Sequence, residues 1–409
     1  MATLFAAGDI PSHVPLELVR PTPFIFGETT TADPYNDWVP AIHEGPPIFY
    51  APNAYPGPSP AWIVRRMADL REIYMDTDTF SSKDSSPYAK LIGETWTNLP
   101  VDIDPPAHRM YRSFANPFFT PAAMAKLEGK IRQYAIEYVE AFRAKGECEF
   151  MGEFAFEFPI KVFLELMGLP VERAPEFLEW ETGLLHEPDI AKMTAATRIV
   201  VDFLRSEIDK RRDNPPDDLF GCALRGQVDG RPLNDDELVG FAFNLFIGGL
   251  DTVSTNTGLQ VLHLAENLDH QRILRADPGR IPRAIEELMR AYAPVTTFRT
   301  CTRDTVFRGI QMMAGDKVAM MTTLVARDPD EFSNPGEVQL DRNPRHVSFG
   351  FGVHSCIGVH LARRELKIAL EELLARVPEF RVKPGHTIRR WLGMIAPVEL
   401  PLVWNADSR

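Results

Sequence analysis

Cys356 stands in a setting that a purely structural thiol does not need. Residues 349–358 read Phe-Gly-Phe-Gly-Val-His-Ser-Cys-Ile-Gly, and a helical pattern follows. A cysteine just before a helix start lies near the positive end of the helix dipole and its unpaired N–H groups, which favour the thiolate. Glycines on either side let the backbone pass close to a flat ligand. A thiolate bound to haem iron pushes electron density toward oxygen and favours O–O cleavage. The plainer reading is a buried cysteine in a Gly-rich turn. Phe349, Gly352 and Gly358, in their places around the cysteine, favour the first.

Three further clusters carry residue types suited to chemistry. Ile247-Gly-Gly-Leu-Asp-Thr-Val-Ser-Thr255 sits in a long apolar helical stretch. Two mid-helix glycines cost roughly 1 kcal/mol each relative to alanine, and Asp251-Thr252 puts an acid beside an alcohol in apolar surroundings. Helix contact at the glycines and a solvated Asp-Thr would be the ordinary explanation. Glu287 and Arg290 lie three apart, on one helical face where they can pair; most such pairs are surface features worth about 0.5 kcal/mol or less. Asp104-Pro-Pro-Ala-His-Arg-Met-Tyr-Arg112 opens a helix with His108 and Arg112 on one face, which alone reads as a polar surface.

The pattern F-x-x-G-x-x-x-C-x-G resembles the haem-binding loop of the cytochrome P-450 family, and the other clusters fall at that family's landmarks in order. The similarity runs from about residue 60 to 404. It implies haem b (iron protoporphyrin IX) with Cys356 as iron ligand, and Phe349 and Gly358 shaping the loop around it. It implies that Thr252 hydrogen-bonds dioxygen, that Asp251 relays protons, and that the helix opens at Gly248-Gly249 to admit the gas. His108, Arg112, Arg299 and His354 fall where the family binds the haem propionates; arginine suits carboxylates because its planar fork binds bidentately. Glu287, Arg290 and the loop residue Arg342 match a buried structural network beneath the haem.

Gly248–Val253 and the ending Leu400–Trp404 look like the bacterial camphor hydroxylases. That likeness implies a small terpenoid substrate, dioxygen, and electrons from a two-iron ferredoxin with an NADH-dependent reductase. One departure concerns the ketone-binding tyrosine of those enzymes, which is Trp96 here. Tryptophan offers only an N–H donor on a larger ring, so camphor itself is a doubtful substrate. Asn244, Gly248 and Thr252 recur every four residues and share a helical stripe, with Asn244 about 12 Å along the axis from Thr252. Asn244 or Trp96 is therefore expected to bind a carbonyl or hydroxyl of an elongated terpenoid such as a norisoprenoid ketone; an Asn244 that merely caps a backbone carbonyl is the alternative. Family position adds Ile247, Val295, Met394 and Ile395 to the expected lining. Arg112, Arg363 and Arg364 are candidates for a positive ferredoxin-docking patch, or ordinary helix-surface arginines.

The elements that must position these residues are mostly helical. Ala68–Met75, Ala122–Lys145, Pro170–Leu185, Ala195–Arg212, Asp235–Asn267 and Gly358–Val377 read as helices, Ala61–Arg65 as a strand, Arg299–Val325 as short strands, and Ile388–Trp404 as a hairpin or two. Residues 1–60 look irregular, the segment at about 1–45 most of all. The expected fold class is mainly α with small β-sheets, in one monooxygenase domain spanning 1–409, with haem between a long central helix and the Cys356 loop.

Composition narrows the remaining choices. The net charge of −13, from 44 basic and 57 acidic residues, argues against nucleic acid as a partner. The four cysteines, Cys148, Cys222, Cys301 and Cys356, are too scattered for a disulfide framework or zinc site. No run of 18 apolar residues suggests a membrane span, and Met1–Pro15, with Asp9 and no basic start, does not read as a signal peptide. The expected location is cytoplasmic. Competing functions are a hydrogen-peroxide-dependent peroxygenase, which the intact Asp251-Thr252 pair disfavours, and a non-catalytic haem-thiolate binding protein.

Overall fold

The computed structural model describes residues 10–24, 28–29, 33–55 and 59–406; the N-terminal reading up to Asp9 lies outside them. Among the described residues the main helices are α1 Met67–Met75, α2 Ala107–Ala115, α3 Pro121–Arg143, α4 Glu157–Met167, α5 Ala174–Leu185, α6 Ile190–Arg211, α7 Asp235–Glu266, α8 Ile281–Ala291 and α9 Val359–Arg376. Their starts follow from capping. Thr120 accepts a hydrogen bond from the Ala123 N–H and Pro121 fills the first turn of α3. Asn234 and Glu237 form a reciprocal capping box at α7.

The helix α7 crosses the molecule. Its length and composition would suffice for a membrane span, yet 72% of its most apolar window is buried inside the fold. It is the core helix of the protein. Leucine, valine and phenylalanine side chains all around it pack into the surrounding helices, which is why its apolar pattern is not confined to one face.

A five-stranded sheet flanks the helices. Its strands are β1 Ile48–Tyr55, β2 Ser59–Val64, β3 Phe80–Ser81, β4 Thr296–Cys301 and β5 Lys317–Met321, in the order β1-β2-β5-β4-β3. The β5–β2 pair is parallel and the others antiparallel. Trp62, Val64, Val318 and Met320 point from this sheet into a core that also takes in Leu70, Ile73 and Tyr74 of α1.

Several expected boundaries shift. Residues 1–60 are not uniformly irregular, because β1 pairs with β2. The helix read from Ala195 begins at Ile190, where Asp189 accepts from the Ala191 N–H. Thr322–Val325 closes as a helical turn instead of continuing β5. Only one hairpin forms near the end, Arg390–Trp391 with Ala396–Pro397. Pro401–Trp404 instead pairs with Phe380–Val382 and Glu147–Glu149. The expected opening at Gly248-Gly249 is absent: α7 runs unbroken from Asp235 to Glu266.

Candidate active site

The Cys356 loop is closed by its own backbone. The Cys356 N–H donates to the Phe349 carbonyl at 2.8 Å, Gly350 N–H to Val347 at 2.8 Å, and Ser355 N–H to Gly352 at 3.1 Å. Gly350 and Gly352 hold φ at 69° and 71°, a left-handed backbone that side chains resist. The thiol meets opposed influences. Enclosure by protein raises its pKa, while the Gly358 N–H and the Arg112 charge lower it. The expected thiolate-favouring groups are in place, but in the polypeptide alone burial outweighs them. Cys356 as a residue is still exposed by surface area.

Four basic side chains converge beside this loop. His108 of α2 is buried, and neither ring nitrogen has a hydrogen-bond partner. Its ring lies 4.3 Å from that of His354, whose Nε2 pairs with Ser82 Oγ at 3.0 Å. Arg112, one turn along α2, donates to the Ser355 carbonyl. Arg299 projects from β4 over the Tyr74 ring; its Nη1 donates to the Phe298 carbonyl and its buried Nε has no partner. Burial, with Arg112 beside it, lowers His108 to about 4. Burial, with Arg299 beside it, lowers His354 to about 3. Buried polar groups are normally satisfied. A set of unpartnered donors next to two arginines fits a ligand bearing carboxylates, as the propionates of haem do.

Across the molecule, α7 is buried from Leu238 to Ala265 except at Asn244, Ile247, Gly248, Gly249, Thr252 and Asn256. Asn244, Gly248, Thr252 and Asn256 recur every four residues, so one stripe of an otherwise packed helix borders open space. The two glycines differ. A Cβ at Gly248 would meet nothing within 4 Å, whereas one at Gly249 would lie 2.3 Å from the Phe163 ring of α4. Gly249 permits packing and Gly248 keeps the open face clear. The Thr252 hydroxyl has no hydrogen-bond partner among the described residues, and the Thr252 carbonyl accepts from Asn256.

Asp251 turns away from that stripe. It is buried, accepts from Thr255 Oγ1 at 3.2 Å, and lies 3.2 Å from His186 Nε2. His186 also contacts Glu181 at 3.2 Å. Neither Glu181 nor His186 stands out in the sequence. They lie 70 and 65 residues before Asp251 on the chain, and only the packing of α5 against α7 joins them.

Glu287 and Arg290 of α8 are both fully buried. Two hydrogen bonds of 2.8 Å join them, and Arg290 also donates to the carbonyls of Ala326, Pro335 and Glu337. Arg342 Nε lies 3.1 Å from Glu287 and its remaining nitrogens reach the Ser333 and Asn334 carbonyls. The three side chains therefore meet, and the ordinary surface-pair reading fails for them.

The remaining expected positions lie in different surroundings. Trp96 is buried against Phe243 of α7, with ring centroids 4.8 Å apart, and its indole acts on the nearby Glu94 carboxylate. Its segment is tied to α7 by the Leu99 N–H, which donates to the Gly240 carbonyl. Val295 and Met394 are half-buried, while Ile395 packs with Leu259 and Met321 in a core cluster. The expected positive patch is largely neutralised: Arg363 forks onto Glu286 at 2.7 Å and Arg364 pairs with Glu128. Only Arg112 of the three has no carboxylate partner among the described residues.

The family model for cytochrome P450 matches residues 184–392. A probable cytochrome P450 127A1 from Sinorhizobium fredii is 38% identical, covering 92% of each chain. The chain belongs to the cytochrome P450 family. Solved structures agree along almost the whole length. CYP101C1 superposes with a TM-score of 0.86 at 32% identity, covering 97% of this chain and all of that one. CYP101J2 gives the same TM-score at 30% identity, covering 97% and 99%. As a P450, the protein binds haem b and belongs to a family of monooxygenases.

Proposed function

We propose that this P450 is a haem-thiolate monooxygenase hydroxylating a small apolar terpenoid, best a norisoprenoid ketone, with electrons from a two-iron ferredoxin. In this reading the whole chain is one catalytic domain working in the cytoplasm. Cys356 ligates the iron, and His108, Arg112, Arg299 and His354 hold the propionates. Phe349 and Gly358 shape the ligand loop, and Glu287, Arg290 and Arg342 brace it. The haem, when bound, supplies activation of dioxygen. Thr252 offers a hydroxyl to orient a proton at the oxygen site, and Asp251 holds the proton next in line.

The observation that carries the substrate class is the open stripe on α7. Its lining is apolar at Ile247 and bare at Gly248, with the Asn244 amide two turns from Thr252. A slender apolar molecule with one distant oxygen suits that arrangement, with Val295, Met394, Ile395 and Trp96 as further lining. A Pseudomonas relative at 29% identity is named cytochrome P450-terp, which agrees with a terpenoid. Other relatives are named steroid C26-monooxygenases, so a longer polycyclic substrate is the second reading.

The test is an absorption spectrum of the reduced protein with carbon monoxide, followed by titration with a norisoprenoid ketone, camphor and a sterol ketone. A thiolate-type Soret band, lost in Cys356→Ala, and a spin shift strongest for the norisoprenoid are expected. A band retained in Cys356→Ala would refute the ligand. A shift strongest for camphor or the sterol would overturn the substrate class.

A further inference from the structure

We infer that Glu181, His186 and Asp251 form one proton-sharing relay, with His186 as its solvent-side entry and Glu181 as its second proton holder. This deepens the proposed monooxygenase reading and rests on it. A single imidazole nitrogen, Nε2, stands 3.2 Å from a carboxylate oxygen of Glu181 and 3.2 Å from one of Asp251. One N–H can serve only one of them fully at a time, so the proton is shared between two acceptors. Both carboxylates are almost wholly buried, while the His186 side chain keeps 17% of its surface. The imidazole is therefore the member of the trio that reaches water.

The surroundings concentrate charge on this ring. Glu181 faces it from α5 and Asp251 from α7. Phe156 and Trp391 close its other sides with uncharged rings. The adjacent Glu187 is occupied by Lys192. His186 also caps the C-terminus of α5, its N–H bonded to the Thr182 carbonyl, where the helix dipole favours a cation. Burial opposes the charged imidazole, but Asp251 and Glu181 outweigh it and raise its pKa. Burial likewise raises Glu181, with His186 pulling it back. Among the described residues no lysine or arginine pairs with Glu181 or Asp251, so a mobile proton is what balances the two acids.

The transfer balances without electrons. The imidazolium gives its Nε2 proton to Asp251. The neutral ring, the member of the trio that reaches water, takes up one proton from solvent for each proton that leaves Asp251, and the Glu181 carboxyl holds a second proton against Nε2. Glu181 and His186 are positioning residues acting through Asp251; neither needs to touch substrate.

Two measurements on the holoenzyme test this. In the diamagnetic ferrous carbon-monoxide form, ¹⁵N NMR of the His186 ring should show a raised titration. It should fall by about one unit or more in Glu181→Gln and in Asp251→Asn, since a lost carboxylate disfavours the imidazolium. In turnover, His186→Gln and Glu181→Gln should each slow NADH-driven hydroxylation about tenfold or more and raise its solvent isotope effect. Hydrogen-peroxide-driven turnover, which brings its own protons, should stay near wild type. An unshifted ring titration would overturn the relay, as would equal losses in both assays. A wild-type protein lacking the thiolate Soret band would instead remove the monooxygenase reading, and the relay with it.

Discussion

Arg112 donates from Nη2 to the carbonyl of Ser355, the residue beside Cys356, at 2.5 Å. One guanidinium thus joins α2 to the loop bearing the sulfur. It also lies close enough for its charge to lower the Cys356 thiol.

That contact yields the first prediction. Lysine keeps the charge but loses the planar fork, and a hydrogen bond to a charged donor contributes about 1.5–3 kcal/mol. Arg112→Lys should lose haem to apomyoglobin about tenfold faster than wild type, and Arg112→Ala faster still. Equal transfer rates in all three proteins would show that the contact does not hold the loop.

The buried Glu287–Arg290 pair predicts a large stability effect. Removing one partner of a fully buried pair typically costs about 3–5 kcal/mol. Glu287→Gln keeps the volume but leaves Arg290 charged among three carbonyls, and also weakens the Gln339 N–H bond to Glu287. Urea denaturation should register a loss in that range. A loss below about 1 kcal/mol would mean the network relaxes without its acid.

Adjacent glycines on α7 should respond in opposite directions. Gly248→Ala places a methyl in open space and gains helix propensity, about 0.5–1 kcal/mol. Gly249→Ala forces a methyl into the Phe163 ring and should cost about 1–3 kcal/mol. Thermal unfolding of the two variants decides it, and the same sign for both would remove the distinction.

The start of α7 carries a pH signature. Arg231 above all, then Tyr111 and the Asn234 N–H, hold the Glu237 carboxyl at about 2 against the opposing effect of burial. A carboxyl depressed in the folded state stabilises it fully above its unfolded value, near 4.5. That contribution is lost as pH falls toward about 2. Glu237→Gln should therefore melt below wild type at pH 7, by about 1 kcal/mol for a weakened cap, and the gap should narrow below pH 4.5. Parallel curves down to pH 2.5 would contradict the assignment.

Much of this architecture was readable from residues alone because its signals are local. The Cys356 loop, the Asp251-Thr252 pair and the Glu287/Arg290 spacing lie within single elements, and the apolar length of α7 announced a central helix. The contacts of Asp251 were not readable, since His186 and Glu181 reach it only through tertiary packing. Nor was the fate of Arg363 and Arg364, whose acidic partners sit on α8 and α3. The helix opening was misread for a physical reason: two neighbouring glycines suggest one weak point, but their Cβ directions differ by about 100°, so one faces a phenylalanine and the other empty space.

The open positions of α7 also amount to a ruler. Each step from Thr252 to Gly248 to Asn244 advances about 6 Å along the axis, and the Asn244 amide marks a length on it. Moving that mark by one turn, with Asn244→Leu and Gly248→Asn together, should reset the ruler for shorter ketones without touching Thr252. Chain-length preference and oxygen handling would then be separately adjustable on one rigid rod.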